Sequence, residues 1–383
     1  MGKKRVMFVF GTRPEAIKMA PVIQEMKKHA DELKTTIVVT GQHRHMLDQV
    51  TRLFKIRPNY DLAIMNKNQA LTDILTRSLQ GLAKVFKREK PDLLLVQGDT
   101  STAFAAALLA YYHKIAVGHV EAGLRTFDKW RPFPEEMNRK LISAVADLNF
   151  APTKTSVDNL LAEKVDPSSI YLTGNTVIDA LLGIAAKKSD LSQCGVKLDP
   201  GKKLILVTMH RRETFGQQQE NMCEAIAALA GKFADQIEIV LPVHKNPLVK
   251  KVVNKQLGRV ANIKLVEPLD YEPFVQLMKA ASFIITDSGG IQEEAPALGK
   301  PVLVMREKTE RPEAVKAGAV KLVGVDAKTI YNNASRLLVD QNIYDKMSKA
   351  VNPYGDGQAA LRIVQAIRYY FNLTNKKPGA FKA

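Results

Sequence analysis

Three carboxylates in the first half of the sequence follow apolar, strand-like runs or the loops after them: Asp99, Glu121 and Glu135. Two cations, Arg13 and Lys18, lie in the opening turns of a helix-like segment, where an anion is already favoured. A site that attracts an anion and also keeps several carboxylates suits proton transfer on the skeleton of a sugar or an acid. Any one of these acids could be an ordinary helix cap. The presence of three carboxylates together with two cations favours a catalytic site.

The segment that carries the two cations reads Gly-Thr-Arg-Pro-Glu-Ala-Ile-Lys over residues 11–18. Thr12 and Glu15 have the spacing of a capping box, and Pro14 is tolerated in a first helical turn. The segment lacks the Gly-x-Gly-x-x-Gly pattern of dinucleotide-binding loops. It therefore predicts a capped helix whose N-terminus can hold an anion, without a nicotinamide cofactor.

Groups suited to phosphate binding are concentrated in the second half. Ser288, Gly289 and Gly290 follow a strand-like run, and their small size lets backbone amides approach a phosphate closely. Glu294 is well placed for ribose hydroxyls, and Pro296 predicts that the helix here is short. Ser-Gly-Gly alone is also typical of an ordinary turn. Further cations follow other strand-like runs: His210, Arg211, Arg212 and Arg311.

A repeating pattern of strands and helices must position these residues. Apolar runs at 6–10, 36–39, 92–96, 115–120, 148–152 and 170–174 alternate with helical segments at 15–29, 71–87, 100–113, 134–147 and 154–164. After a polar connection at 187–203, strand-like runs recur at 204–208, 237–243, 263–269, 283–286 and 301–305, and a last helix is predicted at 359–371. The pattern predicts two doubly wound α/β domains, in which ligands collect beyond the carboxyl ends of the strands.

Composition narrows the class of protein. The chain has 383 residues and a net charge of +17, from 56 Lys and Arg against 39 Asp and Glu. The excess favours an anionic partner, and the absence of a nucleic-acid-binding signature favours a phosphorylated small molecule over DNA or RNA. No apolar stretch approaches the roughly 20 residues of a membrane span, and the apolar run at 6–10 is too short to predict a secretory signal. Cys194 and Cys223 lack the spacing of a metal site or disulfide framework. We expect a cytoplasmic protein.

Nine short motifs extend the pattern along nearly the whole chain. They lie at residues 11–18, 98–100, 119–126, 134–136, 174–176, 210–213, 287–296, 310–313 and 352–357. Each alone is weakly specific, but together and in this order they resemble the non-hydrolysing UDP-N-acetylglucosamine 2-epimerases of bacteria. The resemblance implies two Rossmann-like domains with an interdomain cleft, as in the two-domain glycosyltransferases of the B type. The domains would be 1–175 and 176–363, with a C-terminal helix at about 364–383 packing on the first.

The resemblance also implies roles for individual residues. Catalytic positions around the sugar would be Lys18, Asp99, Glu121 and Glu135. The UDP moiety would be held by nine residues: Arg13, His210, Leu269, Phe274, Ser288, Gly289, Gly290, Glu294 and Arg311. No metal and no cofactor are implied. The expected partners are the substrate UDP-N-acetylglucosamine and a second copy of the chain in a homodimer, with neither nucleic acid nor membrane.

A second ligand site is implied for some members of the family, which bind another UDP-N-acetylglucosamine as an activator. Two positions depart from that pocket, because His45 and Asn68 replace the expected Gln and Arg. Outside that pocket, Gln97 stands where relatives often have His. Four residues resemble the activator pocket: Gln42, His43, Arg211 and His244.

The implied chemistry fits the residues. The hydrogen on carbon 2 of the sugar is not acidified by a neighbouring carbonyl, and the fingerprint of a nicotinamide site is missing. This leaves elimination of UDP to 2-acetamidoglucal, followed by re-addition with protonation on the opposite face. The product would supply cell-surface polysaccharide such as teichoic acid. The alternatives are a two-domain UDP-sugar glycosyltransferase and a hydrolysing 2-epimerase.

Overall fold

The chain forms two compact units, each built on its own parallel sheet. The computed structural model describes residues 2–41, 44–66, 69–188, 191–211 and 216–382, without the side chains of 44–46 and 193. One unit comprises Met1–Ala180 with Tyr354–Lys382, and the other comprises Leu181–Pro353. Within the described ranges the sheets have seven and six strands, and both are flanked by helices. The predicted class, two doubly wound Rossmann-like α/β domains, is confirmed.

The first unit alternates strands and helices from its first strand onward. Its strands are β1 Lys4–Phe10, β2 Leu33–Val39, β3 Tyr60–Asp61, β4 Leu93–Gln97, β5 Ala116–Val120, β6 Leu148–Ala151 and β7 Ile170–Leu172. Its helices are α1 Arg13–Lys27, α2 Arg44–Leu53, α3 Leu71–Glu89, α4 Ser101–Tyr112, α5 Glu135–Val145, α6 Lys154–Ala162 and α7 Thr176–Ala185, the last of which runs on into the second unit. The strand order β3-β2-β1-β4-β5-β6-β7 places β1, β4 and β5 side by side.

The second unit repeats the scheme. Its strands are β8 Lys203–Thr208, β9 Ile237–Pro242, β10 Ile263–Val266, β11 Phe283–Thr286, β12 Val302–Val304 and β13 Val320–Leu322, in the order β10-β9-β8-β11-β12-β13. Its helices are α8 Gln217–Lys232, α9 Pro247–Leu257, α10 Tyr271–Ala280, α11 Ile291–Ala297, α12 Pro312–Ala317, α13 Ala327–Val339 and α14 Gln341–Ser348. Helix α15, Ala359–Tyr370, belongs to the first unit.

Burial on both faces explains why the strands read as unbroken apolar runs. The last five residues of β1, Val6 to Phe10, are all fully buried, as expected for a central parallel strand covered by helices. Phe8 and Phe10 are among the largest buried side chains, and truncation of such a residue to Ala costs about 3–5 kcal/mol. The cores therefore hold the strand ends, and the loops that follow them, in fixed places.

Short elements depart from the sequence-based prediction. The two-residue strand β3 and the three-residue strand β13 were not predicted, and β10 ends at Val266, three residues before the predicted end. The connection predicted at 187–203 contains a short 3-10 helix, Leu191–Cys194. No helix in the described part of the chain is long and apolar enough to cross a membrane.

Candidate active site

Glu121 is a heavily hydrogen-bonded carboxylate at the carboxyl edge of the first sheet. It follows β5, is 9% exposed, and adopts a left-handed backbone conformation with φ of 66°. Lys18 from α1 donates to both of its oxygens, at 2.5 and 2.7 Å. Gln97 at the end of β4 donates to Oε2, and Asn175 before α7 donates to Oε1 at 3.1 Å. Donors from three elements stabilise the ionised carboxylate.

Asp99 lies in the neighbouring loop and has a different environment. Arg139 of α5 forms an ion pair with its Oδ2, and Asn138 donates to its backbone carbonyl at 2.8 Å. Burial raises the pKa of the Asp99 carboxyl, and the negative charge of Glu121 adds to the rise, against the opposing charge of Arg139. Two interacting carboxylates with contrasting surroundings are the pattern expected of groups that exchange protons with a substrate.

A fully buried histidine fixes the turn that carries Asp99. His119 of β5 lies with its Nε2 atom 2.7 Å from the carbonyl oxygen of Gly98. Burial lowers the pKa of His119 to about 4, so the ring is neutral at neutral pH and Nε2–H donates to the carbonyl. Gly98 has φ of 69°, a conformation that glycine adopts without steric cost.

The start of α1 is organised as the sequence predicts. Thr12 and Glu15 form the capping box, since the Thr12 side chain accepts from the Glu15 amide and Glu15 accepts from the Thr12 amide at 2.8 Å. Glu15 also accepts from the hydroxyl of Thr100 at 2.8 Å, which ties this turn to the start of α4. Burial raises the pKa of the Glu15 carboxyl. The half-buried Arg13 makes no ion pair with a carboxylate of the described residues.

The third predicted acid is less tightly connected. Glu135 is the first residue of α5, is half-buried, and has no ion pair among the described residues. Its neighbour Glu136 is fully buried, accepts from the backbone amides of Thr126 and Phe127 at 3.1 and 3.0 Å, and pairs with Arg139 at 3.3 Å. The structure thus brings Lys18, Asp99 and Glu121 into one group. Glu135 makes no hydrogen bond to this group among the described residues.

In the second unit, the loop after β11 is joined to the loop after β8. Asp287 is fully buried and accepts from the backbone amides of His210 and Arg211 at 2.8 and 2.9 Å. His210 Nδ1 lies 2.9 Å from Asp287 Oδ1. Burial alone would raise the pKa of Asp287, but the hydrogen bonds and charge of His210 and the two amides lower it. Asp287 therefore lies against the His210 ring, and the His210 side chain is 43% exposed.

The Ser-Gly-Gly turn packs directly against Arg311. A Cβ atom added to Gly289 would lie 2.6 Å from Arg311 Nη1 and 2.9 Å from Glu310 Oε1, whereas one added to Gly290 would meet nothing within 4 Å. Arg311 pairs with Glu293 at 2.5 Å and with Glu310 at 2.6 Å. Burial opposes ionisation of Glu310, yet the charges of Arg311 and Arg306 lower its pKa to about 2. The predicted short helix after the turn is α11, with seven residues and Pro296 inside it.

The remaining predicted nucleotide contacts lie in the same unit. Glu294 is buried and accepts a hydrogen bond from the hydroxyl of Tyr271 at 3.0 Å. Leu269, in the loop after β10, and Phe274, on α10, are both half-buried. These positions are compatible with contacts to a ribose and an aromatic base.

The predicted activator pocket is described only in part. Gln42, His43 and Asn68 lie outside the described residues, as does the side chain of His45. His244 lies beside His210, with ring centroids 6.3 Å apart. Arg211 donates to Glu310 at 3.3 Å. The two described members of the set thus border the His210 loop.

Three residues of the first group, Asn138, Arg139 and Asn175, were not singled out from the sequence, and Gln97 was noted only as a departure from the family. Each lies within or beside a motif, but its partner is 24 to 54 residues away along the chain. A polar residue at the end of a strand was the available signal for Gln97. No group of three His, Cys, Asp or Glu side chains within the described ranges could hold a metal ion.

Comparison with known proteins decides the family. The sequence model of the UDP-N-acetylglucosamine 2-epimerase family matches residues 24–368. The chain belongs to this family. It is 54% identical over 371 residues to the UDP-N-acetylglucosamine 2-epimerase of Escherichia coli strain K12, covering 95% of this chain and 98% of that protein. It is 50% identical over 384 residues to that of Bacillus subtilis strain 168, covering 100% and 99%. The resemblance to UDP-N-acetylglucosamine 2-epimerases inferred from the motifs is confirmed.

A solved structure of the 2-epimerase family supports the same conclusion. The UDP-GlcNAc 2-epimerase of Neisseria meningitidis, bound to UDP-GlcNAc, is 48% identical to this chain with a TM-score of 0.87. The match covers 95% of this chain and 99% of that one. Family, fold and motif order therefore agree over nearly the whole sequence.

Proposed function

We propose that this member of the family is a non-hydrolysing 2-epimerase that interconverts UDP-N-acetylglucosamine and UDP-N-acetylmannosamine. The observation that carries the proposal is the pair Asp99 and Glu121, two interacting carboxylates of which one is surrounded by donors and the other has a raised pKa. Removal and return of a proton at one carbon need acid–base groups of this kind. The substrate named for the Neisseria meningitidis structure supports the choice of sugar nucleotide.

The reaction we propose balances without an oxidant. A carboxylate removes the proton from carbon 2 as the bond between carbon 1 and UDP breaks, which yields 2-acetamidoglucal and UDP. UDP then adds back to carbon 1, and carbon 2 receives a proton on its opposite face. Asp99 and Glu121 share the two proton transfers, Lys18 keeps Glu121 oriented, and Glu135 contributes a further acid near the sugar.

Departure of UDP requires stabilisation of its charge. In this proposal His210, the amides of Ser288, Gly289 and Gly290, and the guanidinium groups of Arg311 and Arg13 bind the diphosphate. One pair of unit charges at about 4 Å gains roughly 4 kcal/mol at an effective dielectric constant of about 20. Glu294 binds the ribose, and Leu269 and Phe274 line the uracil.

A proton NMR time course on the purified protein with UDP-N-acetylglucosamine tests the proposed activity. We expect an equilibrium mixture with UDP-N-acetylmannosamine. Release of UDP and free N-acetylmannosamine would indicate a hydrolysing enzyme, and an unchanged spectrum would indicate a transferase that needs an acceptor. Asp99→Asn and Glu121→Gln should nearly abolish turnover while UDP still binds. Rates near those of the wild type in both variants would disprove the assignment of these residues.

We also propose that Arg211 and His244 help to bind a second UDP-N-acetylglucosamine molecule as an activator. Their position beside the His210 loop supports this role. Initial rates starting from UDP-N-acetylmannosamine should rise when a trace of UDP-N-acetylglucosamine is added. His244→Ala should remove the rise, and an unchanged rise would contradict the role.

A homodimer is the proposed assembly. Large apolar side chains are exposed on the first unit, among them Phe127 at 67%, Trp130 at 64% and Tyr112 at 68%, and exposed apolar surface favours association. Sedimentation equilibrium should give about twice the chain mass of 42.5 kDa. A single species at the chain mass would contradict the dimer.

A further inference from the structure

Asn175 is a buried amide whose orientation is fixed by its neighbours. It is 3% exposed and directly precedes helix α7. Its Oδ1 atom accepts from the backbone amide of Val177 at 3.1 Å, so Oδ1 caps the helix. Its Nδ2 group donates to Glu121 Oε1 at 3.1 Å. Because the carbonyl end is occupied by an N–H donor, the NH₂ end has to face the carboxylate.

The backbone of Asn175 is held by the segment through which the chain returns to the first unit. Its amide donates to the carbonyl of Tyr354 at 2.6 Å. At Gly174, which has φ of 84°, an added Cβ would lie 3.4 Å from the Cα of Gly355 and 3.5 Å from the carbonyl oxygen of Tyr354. The chain leaves the first unit within α7 and re-enters it at Tyr354. The residue before α7 is therefore hydrogen-bonded to the first residue of the returning segment.

Glu121 depends on such support. Its φ of 66° lies in the left-handed region, which disfavours side chains other than glycine and is kept only where the surroundings impose it. The Asn175 amide and Lys18 both contact Oε1, at 3.1 and 2.5 Å. Lys18 extends from α1 on a flexible stem, whereas the Asn175 amide is short and fixed at both ends.

We propose that Asn175 is a positioning residue for Glu121. Its amide orients the ionised carboxylate toward the reacting carbon, and the hydrogen bond to Tyr354 fixes the amide from the segment that crosses between the units. The inference rests on the proposed epimerisation, because it assigns Glu121 a proton transfer. It requires an amide donor, and not just a helix cap, at position 175.

Two substitutions separate this role from helix capping. Asn175→Ser and Asn175→Asp both keep an oxygen that can cap α7, since Ser, Asp and Asn are similarly good N-caps. Neither keeps the NH₂ donor. Asn175→Ser should lower kcat by about 10- to 100-fold, the range expected for the loss of one hydrogen bond to a charged group. KM for UDP-N-acetylglucosamine and the affinity for UDP should change less than about threefold.

Asn175→Asp tests whether position 175 lies against the Glu121 carboxylate in the working enzyme. A second carboxylate beside Glu121 disfavours its ionised form and raises its pKa. The acid limb of the pH profile of kcat should therefore shift to higher pH by about 1 unit or more. An unshifted profile, or a kcat for Asn175→Ser within about twofold of the wild-type value, would overturn the proposal.

A matched control is Asn262→Ala in the second unit. Asn262 donates to the carbonyls of Ala230 and Ile237 at 3.1 and 3.2 Å, so its loss removes similar hydrogen bonds of a partly buried amide. We expect a lower melting temperature with an unchanged pH profile and kcat. If Asn262→Ala lowers kcat as much as Asn175→Ser, the effect is structural and the proposal is wrong. A wild-type protein without epimerase activity would instead refute the proposed function.

Discussion

At the scale of single residues, the environment of each carboxylate decides what it can do. Lys18, Gln97 and Asn175 surround Glu121 with donors. Asp99 instead pairs with Arg139, and burial raises its pKa against the charges of Arg139 and Lys18. Arg139 is itself held by the buried Glu136 at 3.3 Å. The pKa of Asp99 therefore depends on burial and on neighbouring charges with opposite effects, so a substitution of Arg139 should change it.

The first prediction concerns the pKa of Asp99. Arg139 lowers the pKa of Asp99, so Arg139→Gln should raise it further and move the acid limb of the pH profile of kcat/KM to higher pH. Arg139→Lys keeps the positive charge, so its acid limb should stay close to that of the wild type. The measurement is kcat/KM between pH 4.5 and 8.

Arg368→Gln serves as the control, because Arg368 pairs with Glu32 at 2.7 Å, in a different ion pair. Its profile should match that of the wild type. An acid limb that stays in place in Arg139→Gln would show that ionisation of Asp99 does not limit the reaction.

The second prediction uses adjacent glycines in the Ser-Gly-Gly turn. Gly289→Ala places a methyl group 2.6 Å from Arg311 Nη1, which must push the guanidinium away from its place. We expect UDP to bind about 10-fold more weakly or worse, since a hydrogen bond to a charged group contributes about 1.5–3 kcal/mol. Isothermal titration with UDP measures the loss.

Gly290→Ala is the matched control for this turn, because its methyl group would meet nothing within 4 Å. Its affinity for UDP should stay within about twofold of the wild-type value. Equal affinities in the two variants would mean that Arg311 does not contact the diphosphate.

At the scale of elements, helix ends connect distant parts of the first unit. Asp179 on α7 accepts from the backbone amides of Ala359 and Ala360 at 3.2 and 2.8 Å, and so caps α15 from 180 residues away. The adjacent Gln358 makes no side-chain cap. Burial raises the pKa of Asp179 to about 6, although these hydrogen bonds oppose the rise.

The third prediction follows from the sign of that shift. Because the folded-state pKa of Asp179 lies above its usual value of 3.8, its contribution to stability is full below about pH 4 and is lost as the pH rises through about 6. The free energy of unfolding of the wild type relative to Asp179→Asn should therefore fall over this range, by at most about 3 kcal/mol. Urea unfolding at several pH values measures the difference.

Asp166→Asn gives the opposite sign and serves as the control. The hydrogen bonds from Ser168 lower the pKa of Asp166, so its contribution to stability is lost as the pH falls. If the difference in the free energy of unfolding between the wild type and Asp179→Asn does not change with pH, Asp179 does not cap α15 with a carboxyl group whose pKa is raised.

Sequence periodicity predicted most of the strands, because buried parallel strands are unbroken apolar runs. It also predicted the long helices of the first unit, but it assigned no range to α8 or α13. The residue types and their spacing predicted the Thr12–Glu15 capping box, because both partners lie within one helical turn. The strands β3 and β13 have only two and three residues, too few for a periodic signal. Contacts such as Arg139 with Asp99 and Asn175 with Glu121 join residues 40 and 54 positions apart. Only the packed sheet brings those residues together.

At the scale of the whole molecule, each unit has its own sheet and its own set of chemical groups. The first unit holds the carboxylates and Lys18, and the second holds the His210 loop, the Ser-Gly-Gly turn and Arg311. The net charge of +17 suits an anionic sugar nucleotide. In the proposed reaction, the acid–base groups act on the sugar while the cations stabilise the departing UDP.

Solvent exchange at carbon 2 tests this account most directly. A reaction of the wild-type protein with UDP-N-acetylglucosamine in deuterated water should give UDP-N-acetylmannosamine with deuterium at carbon 2, because the removed proton exchanges before the opposite face is protonated. Proton NMR would show loss of the carbon 2 signal in the product. A product that keeps the original hydrogen at carbon 2 would contradict proton transfer by Asp99 and Glu121.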